Sequence, residues 1–470
     1  MSFYFLIGRS GQPALLLLRL SADESATETG VHWSQPVSIR HGGFMPESSS
    51  IPLSSHCWNT RLNLLGEQLR QQQDFLVIQD LDGVCMGLVN DPLSRTIAPD
   101  YVRAVQKLDG RFYVLTNGEH VGKRGVNPII DRTCGRDLAK HEGLYLPGLA
   151  AGGVQWQSRF GKVSHPGVQS QELAFLFQVP VKARYFLINL LGNPPYNLAK
   201  ENIQLLAETV VLDNRVSPTI NANLLCAVLG SVSAVSQLQA DIQRFMNQLL
   251  QEARDQGMED SFFVHYAPNL GRDPSTGVER IKPASGNHWG TTDFQFMLRG
   301  AVKEAGVMAL LNDYYFRKTG DYPLGEDFSA RNAPASHDDL VTLARARFDP
   351  DLMPRIIGVG DTITSSTIET EGVEQTLRGG SDRGFLTLVQ DLGLAFESDN
   401  VVLLVDSSGG EVMRPSVDAA SLQQYGPQDS NFWQGVSGLS DQHDPLRVNW
   451  VAADGYRQYT QFFNHYLGTR

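Results

Sequence analysis

The sequence predicts an α/β protein: a doubly wound parallel sheet carrying an inserted α/β cap domain. Three observations predict it. Short apolar runs rich in β-branched side chains recur at 75–78, 112–115, 356–359 and 401–405, and each is apolar on both faces, as strands covered on both sides must be. Helical patterns lie beside these runs, and strand, helix, strand in that order makes a right-handed parallel crossover. The span 156–280 then interrupts the alternation with helices and a strand of its own.

Taken in order, residues 1–20 read as a hairpin, with apolar runs at 3–7 and 14–18 flanking Gly8-Arg9-Ser10-Gly11. The polar stretch 21–55 reads as a loop, so 1–58 forms an N-terminal extension. Leu62, Leu65 and Leu69 recur at helical spacing, which predicts a helix over 59–72 leading into the core. The run 75–78 ends in Gln79-Asp80-Leu81-Asp82-Gly83. Pro99 opens a helix that reaches Lys107, and the run 112–115 ends in Thr116-Asn117-Gly118. Glycine-rich residues 143–167 read as a hairpin, and the first part of the core, 59–155, ends among them. The cap, 156–280, holds a long helical pattern over 221–254 and a strand at 261–265. The chain returns to the core over 281–470. Thr291, Thr292 and Asp293 read as the cap of one helix reaching Lys318, and two further strands end at Gly360-Asp361 and at Asp406.

With 470 residues, 41% of them hydrophobic, the chain has the composition of a globular protein of two or three domains. A net charge of −12 argues against a nucleic-acid surface, so an anionic substrate needs a local basic pocket. Cys57, Cys85, Cys134 and Cys226 are scattered and form no C-x-x-C pair, which suits a reducing cytoplasm better than a disulfide framework. The run 14–18 is too short to span a bilayer and lacks the flanks of a signal peptide, so neither export nor a membrane anchor is expected.

In a doubly wound sheet ligands bind outside the carboxyl ends of the strands, where Asp80 and Asp82 would stand. An aspartate can attack phosphorus and carry an aspartyl-phosphate, and a second acid can protonate the leaving oxygen and later activate water. Asp80 fits the first role and Asp82 the second. The competing reading is a polar turn after a buried strand. Thr116, at the same sheet edge, offers a hydroxyl to a phosphoryl oxygen, and the N–H groups of Asn117 and Gly118 add donors.

Strand-D-x-D-G, strand-Thr and strand-Gly-Asp together resemble the haloacid dehalogenase superfamily. The resemblance implies a haloacid dehalogenase-like core with a cap of the second type, and a Mg2+ ion held by Asp80, Asp82 (through its carbonyl), Asp361 and a second acid. No acid follows within 362–366. A hairpin-like insertion over 363–378 is therefore expected to split the metal motif and leave Asp382 as the displaced ligand, with a simple helix N-cap as the other reading. For the catalytic lysine, Lys282 is the first choice and Lys303 the second. The presence of Asp82 implies a phosphatase or phosphomutase rather than a dehalogenase or ion pump.

The segments around 80–88, 115–125, 285–293 and 358–362 further resemble the glucosylglycerol-phosphate phosphatases. That resemblance implies hydrolysis of glucosylglycerol 3-phosphate to a compatible solute, a sugar-phosphate substrate with neither nucleic-acid nor membrane partner, and a functional link to a glucosylglycerol-phosphate synthase. Another sugar phosphate, such as sucrose 6-phosphate, and a non-catalytic sugar-phosphate sensor are the alternatives. His120, Lys123 and Arg124, just past Thr116, are expected to meet the substrate; a solvated helix face is the other reading for them.

Overall fold

In this computed structural model the described residues are 51–470, apart from 72–73, 274, 287, 371–372 and 469–470. The hairpin and loop expected over 1–50 lie outside the described residues. The strands, in chain order, are Phe75–Gln79 (β1), Phe112–Leu115 (β2), Gly148–Ala150 (β3), Gln155–Gln157 (β4), Val163–Ser164 (β5), Val211–Leu212 (β6), Thr219–Asn221 (β7), Phe262–Ala267 (β8), Asn269–Arg272 (β9), Glu279–Ile281 (β10), Asp293–Leu298 (β11), Arg355–Gly360 (β12), Thr364–Thr370 (β13), Val373–Gly379 (β14), Val401–Val405 (β15) and Trp450–Ala452 (β16).

The core sheet runs β16-β15-β12-β1-β2-β3-β4-β5. Its first six strands are parallel, and β4 and β5 close one edge as an antiparallel hairpin. Alternation along the strands feeds two separate cores. Phe75, Val77, Val114 and Val359 point to one face, and Leu76, Ile78, Leu115 and Ile356 to the other. This is why the strands are apolar throughout: helices cover both faces, so a polar position on either side would be buried.

The cap holds an antiparallel sheet, β6-β7-β11-β8. One face, with Ile220, Val264, Phe294 and Phe296, packs against the cap helices. By length and composition Ser170–Leu191 is apolar enough to cross a bilayer, yet Phe175, Leu176, Val179, Ala183, Leu187 and Leu191 of this helix belong to the cap core.

Four expectations change. The helix expected over 291–318 is instead β11 followed by a helix at Lys303–Thr319. Asp-Phe-Gln-Phe-Met-Leu alternates with period two, and pairing with β7 and β8 on its two sides makes it a strand. The cap therefore extends to Leu298 and begins at Ser170, because β4 and β5 belong to the core sheet. The helix expected over 221–254 is two, broken where Gly230 adopts φ +64° and Ser231 Oγ accepts from Ala234 N–H. Finally, residues 51–58 are part of the core edge rather than the extension: Trp58 N–H donates to Val448 O at 2.8 Å, and Trp450 Nε1–H to Leu53 O at 3.2 Å.

Candidate active site

β1 and β12 are neighbours in register, Gln79 opposite Val359, so the residues that follow them emerge side by side at the carboxyl edge of the sheet. Asp80 and Asp361 meet there. β13 and β14 form the antiparallel insertion, and the chain returns from it so that Asp382 N–H donates to Thr362 O at 3.0 Å. One carboxylate oxygen each of Asp80, Asp361 and Asp382 lies within 4.8 Å of the others.

Asp382 occupies the N-cap position of helix Arg383–Phe396 but makes no capping hydrogen bond. Its Oδ2 accepts instead from Asp361 N–H and Thr362 N–H, both at 2.9 Å, and its Oδ1 from Lys303 Nζ at 2.6 Å. Asp382 thus braces the Asp361 turn and the lysine together.

Lys303 stands in the first turn of its helix, where a cation opposes the helix dipole. Two carboxylates offset that cost, since Nζ also lies 2.7 Å from Asp80 Oδ2. The two candidates for this lysine part here: Lys303 meets Asp80 and Asp382, and Lys282 stands elsewhere. Lys282 follows β10 in the cap, donates its backbone N–H to Thr291 Oγ1 at 2.9 Å, and shares a small cavity with Arg414 and Asp361. Burial and the neighbouring Arg414 push its ammonium down to about 8.

Lys303 meets two of the three acids, and Arg414 acts on the third. Burial, together with the charge of Asp382, lifts Asp80 to about 6 against the pull of Lys303 and Thr116. Asp361 is raised well above the carboxylate range by burial and by Asp382 and Asp80, and its Oδ2 is buried with no hydrogen-bond partner. Asp382 moves the other way: burial opposes ionisation, but Lys303 and the two N–H donors outweigh it. All-oxygen donors, excess negative charge and an orphaned carboxylate oxygen suit a hard divalent cation. Gly83 leaves the room, since with φ +82° a Cβ there would sit 2.2 Å from Asp361 Oδ2.

Asp82 is half-buried beside this cluster, and Arg95 Nη1 holds both its oxygens, at 2.9 and 2.6 Å. A Cβ on Gly118 would lie 3.7 Å from Thr116 Oγ1 and 3.9 Å from Asp82 Oδ2, which brings the hydroxyl and this second acid to one spot. The constellation can deliver a carboxylate nucleophile, a proton donor with solvent access, and a buried cation to one phosphoryl group.

The segment after Thr116 makes several contacts with the cap and the core. Asn117 Nδ2 lies 2.8 Å from His265 Nε2 in the cap, and His265 in turn meets Glu279. His120 is fully buried in the core, its ring beside Gly148 O, and burial holds it down at about 4. Lys123 donates its backbone N–H to Asp213 in the cap. Arg124 gives its guanidinium to the carbonyls of Glu208 and Val211. His120 and Arg124 thus serve packing and cap docking with their side chains and Lys123, which is exposed, with its backbone, while Arg124 also borders the cavity beside Asp82.

Two residues went unread in the sequence. Glu119 is fully buried, and its Oε1 accepts from Val216 N–H, Ser217 N–H and Ser217 Oγ at 2.7, 2.9 and 3.1 Å, fastening the cap to the core. Arg414, on the loop after β15, reaches Gly290 O and Thr292 Oγ1 of the cap. Neither carries a local signal, because the cap partners named here lie more than ninety positions away along the chain.

An acid pair past β1, a threonine past β2 and an acid pair past β12, with a lysine joining Asp80 to Asp382, below an inserted cap, mark a phosphatase of the haloacid dehalogenase type. The pattern of the family described as glucosylglycerol-phosphate phosphatase matches residues 74–467. The glucosylglycerol-phosphate phosphatase of Synechocystis sp. is 52% identical over 399 residues, which cover 84% of this chain and 93% of that protein. Among solved structures, the trehalose-6-phosphate phosphatase of Aspergillus fumigatus is similar with a TM-score of 0.37 and 10% identity over 88% of this chain and 100% of that one. The C-terminal domain of the C. albicans trehalose-6-phosphate phosphatase gives 0.41 and 10%, over 88% and 98%. The chain belongs to the glucosylglycerol-phosphate phosphatase family.

Proposed function

We propose that the protein hydrolyses glucosylglycerol 3-phosphate to glucosylglycerol and phosphate through an aspartyl-phosphate on Asp80, with Mg2+ as cofactor. The observation that carries this reading is the 52% identity to a glucosylglycerol-phosphate phosphatase over 84% of this chain and 93% of that protein. The buried acid cluster supports its chemistry.

In the first half-reaction an Asp80 oxygen forms the new bond to phosphorus and the ester P–O bond breaks, while Asp82 gives its proton to the departing glycerol oxygen. In the second, Asp82 takes a proton from water as the water oxygen attacks phosphorus, and the bond to Asp80 breaks. Thr116 and the N–H groups of Asn117 and Gly118 hold phosphoryl oxygens, and Lys303 balances their charge. Asp80, Asp361, the Asp82 carbonyl and the braced Asp382 would hold Mg2+, which supplies charge neutralisation when bound.

The product is an uncharged polyol, suited to service as a compatible solute in the cytoplasm. A synthase that joins an activated glucose to glycerol 3-phosphate would supply the substrate.

Phosphate release by the purified protein tests the reading. Glucosylglycerol 3-phosphate is expected to exceed sucrose 6-phosphate in kcat/KM, and EDTA to abolish release until Mg2+ is restored. Preference for sucrose 6-phosphate would refute the substrate, and full activity in EDTA the cofactor.

A further inference from the structure

The cap sheet has a second face, and the first one explains its composition. Ile220, Phe294 and Phe296 point into the cap core, so their period-two neighbours Thr219, Asn221, Asp293 and Gln295 must point the other way, toward the core domain. The register pairs them across the sheet: Asn221 opposite Asp293 and Thr219 opposite Gln295. Asn221 Nδ2 donates to Asp293 Oδ1 at 2.8 Å. Asn223, at the start of the next helix, joins the same wall. Between this wall and Asp82 lies a cavity of about 90 Å³, bordered on the core side by Arg95 and Gly118.

Among the described residues, four atoms of its lining are out of balance: Arg124 Nε and Arg414 Nε are buried donors with no acceptor, and two amide oxygens are buried acceptors with no donor. Gln295 and Asn223 are 7% and 4% exposed, and Gln295 Oε1 and Asn223 Oδ1 are buried with no hydrogen-bond partner. A buried amide oxygen without a donor is costly, and such atoms in a cavity call for a ligand that donates to them. An anion could accept from Arg124 and Arg414 but has no proton to give the two amide oxygens. A hydroxyl does, and it also accepts, so it suits an amide whichever way the amide is turned. The cavity borders Asp82, the residue read as protonating the leaving oxygen, and so offers a place for hydroxyls that this oxygen carries.

We infer that Asn223 and Gln295, on the wall formed with Asn221 and Asp293, bind the hydroxyls of an uncharged polyol leaving group and select for it over smaller phosphate esters. This rests on the phosphatase reading above and adds to it the residues that choose the substrate. The phosphoryl group is held elsewhere, at Asp80 and Lys303, so the two functions separate experimentally.

Asn223→Ala and Gln295→Ala are each to be assayed on glucosylglycerol 3-phosphate and on p-nitrophenyl phosphate, which presents the same phosphorus without hydroxyls. A site built to hydrogen-bond a hydroxyl loses discrimination when that bond is removed. The expected result is a fall in kcat/KM of about 10- to 100-fold on the first substrate, carried mainly by KM, with the second unchanged within about twofold. Inhibition of p-nitrophenyl phosphate hydrolysis by free glucosylglycerol should weaken about tenfold in the same variants. Equal loss on both substrates, as a merely structural role would produce, overturns the assignment, and so does loss on neither. Should the wild type prefer a different sugar phosphate, the proposed substrate fails on its own, and the wall is judged by whether the two variants lose that ester selectively.

Discussion

The carboxyl edge of the core sheet and the inner face of the cap sheet confront each other across one cleft, and they are built from opposite materials. At the core edge the polar groups are charged, buried and interlocked: Asp80 and Asp382 hold Lys303 at 2.7 and 2.6 Å, and Asp361 crowds against them. At the cap face they are mostly amides, and two of their oxygens have no partner. Fixed charge suits a phosphoryl group, whose developing charge is best met by groups that need not reorganise. Amides suit hydroxyls, which exchange donor and acceptor roles. The difference assigns bond-breaking to one side of the cleft and recognition to the other.

The strongest attack on that division is Asp80→Asn. Loss of the nucleophile should cut kcat by at least about 10³-fold on every phosphate ester, hydroxylated or not. A variant that kept p-nitrophenyl phosphate hydrolysis would remove chemistry from the core edge. Next comes Lys303→Met, expected to lower kcat about 10²- to 10³-fold and to leave two buried carboxylates without their counter-ion. Its thermal midpoint should fall in EDTA and recover in part with Mg2+, because a bound cation replaces the missing charge. A midpoint insensitive to Mg2+ would argue against a cation among the three acids.

The seam between the two regions gives a smaller effect. Glu119→Gln keeps the oxygen that accepts from three cap donors but removes its charge, and it replaces Oε2, which accepts from Gln155 Nε2 at 3.0 Å, with a donor that faces a donor. It should raise KM several-fold through looser cap docking while kcat on p-nitrophenyl phosphate changes less; an unchanged KM would mean that the latch does not bear on binding.

Lys282→Met should matter least to catalysis, with kcat/KM altered less than about tenfold, in contrast to Lys303→Met. Its effect on stability has a definite sign. Burial and Arg414 hold Lys282 at about 8, below its ordinary 10.5. The folded protein therefore binds fewer protons there than the unfolded chain between those values, and the penalty is complete below about pH 8. Lys282→Met should stabilise at pH 7 by about 1–3 kcal/mol, and the gain should shrink as pH rises toward 10.5. Denaturant titrations at pH 7 and 10 would show it; equal differences at both would contradict the burial argument.

Much of the core edge was legible along the chain because its signals are local. An apolar run predicts a buried strand, and whatever follows the run, Asp80, Thr116 or Asp361, is delivered to the edge by the strand itself. Even the displaced Asp382 could be found, since β13 and β14 pair with each other and return the chain to where it left.

The rest depended on contacts that no window of sequence contains. Lys282 and Lys303 look alike in one dimension, and only the packing of helix Lys303–Thr319 against the sheet brings one of them to Asp80. Residues 293–298 follow helix-capping residues and read as the opening of a helix, and they become a strand because two partners wait on either side. His120 and Arg124 follow Thr116 as though facing substrate, and in the fold His120 is buried in the core while Arg124 reaches cap carbonyls and also borders the cavity beside Asp82. Sequence by itself determined which groups stand at strand ends, because backbone geometry carries that information over a few residues. Tertiary structure alone decided which distant groups complete the site, because burying a charge or an amide requires a partner, and here the partners come from other elements of the fold.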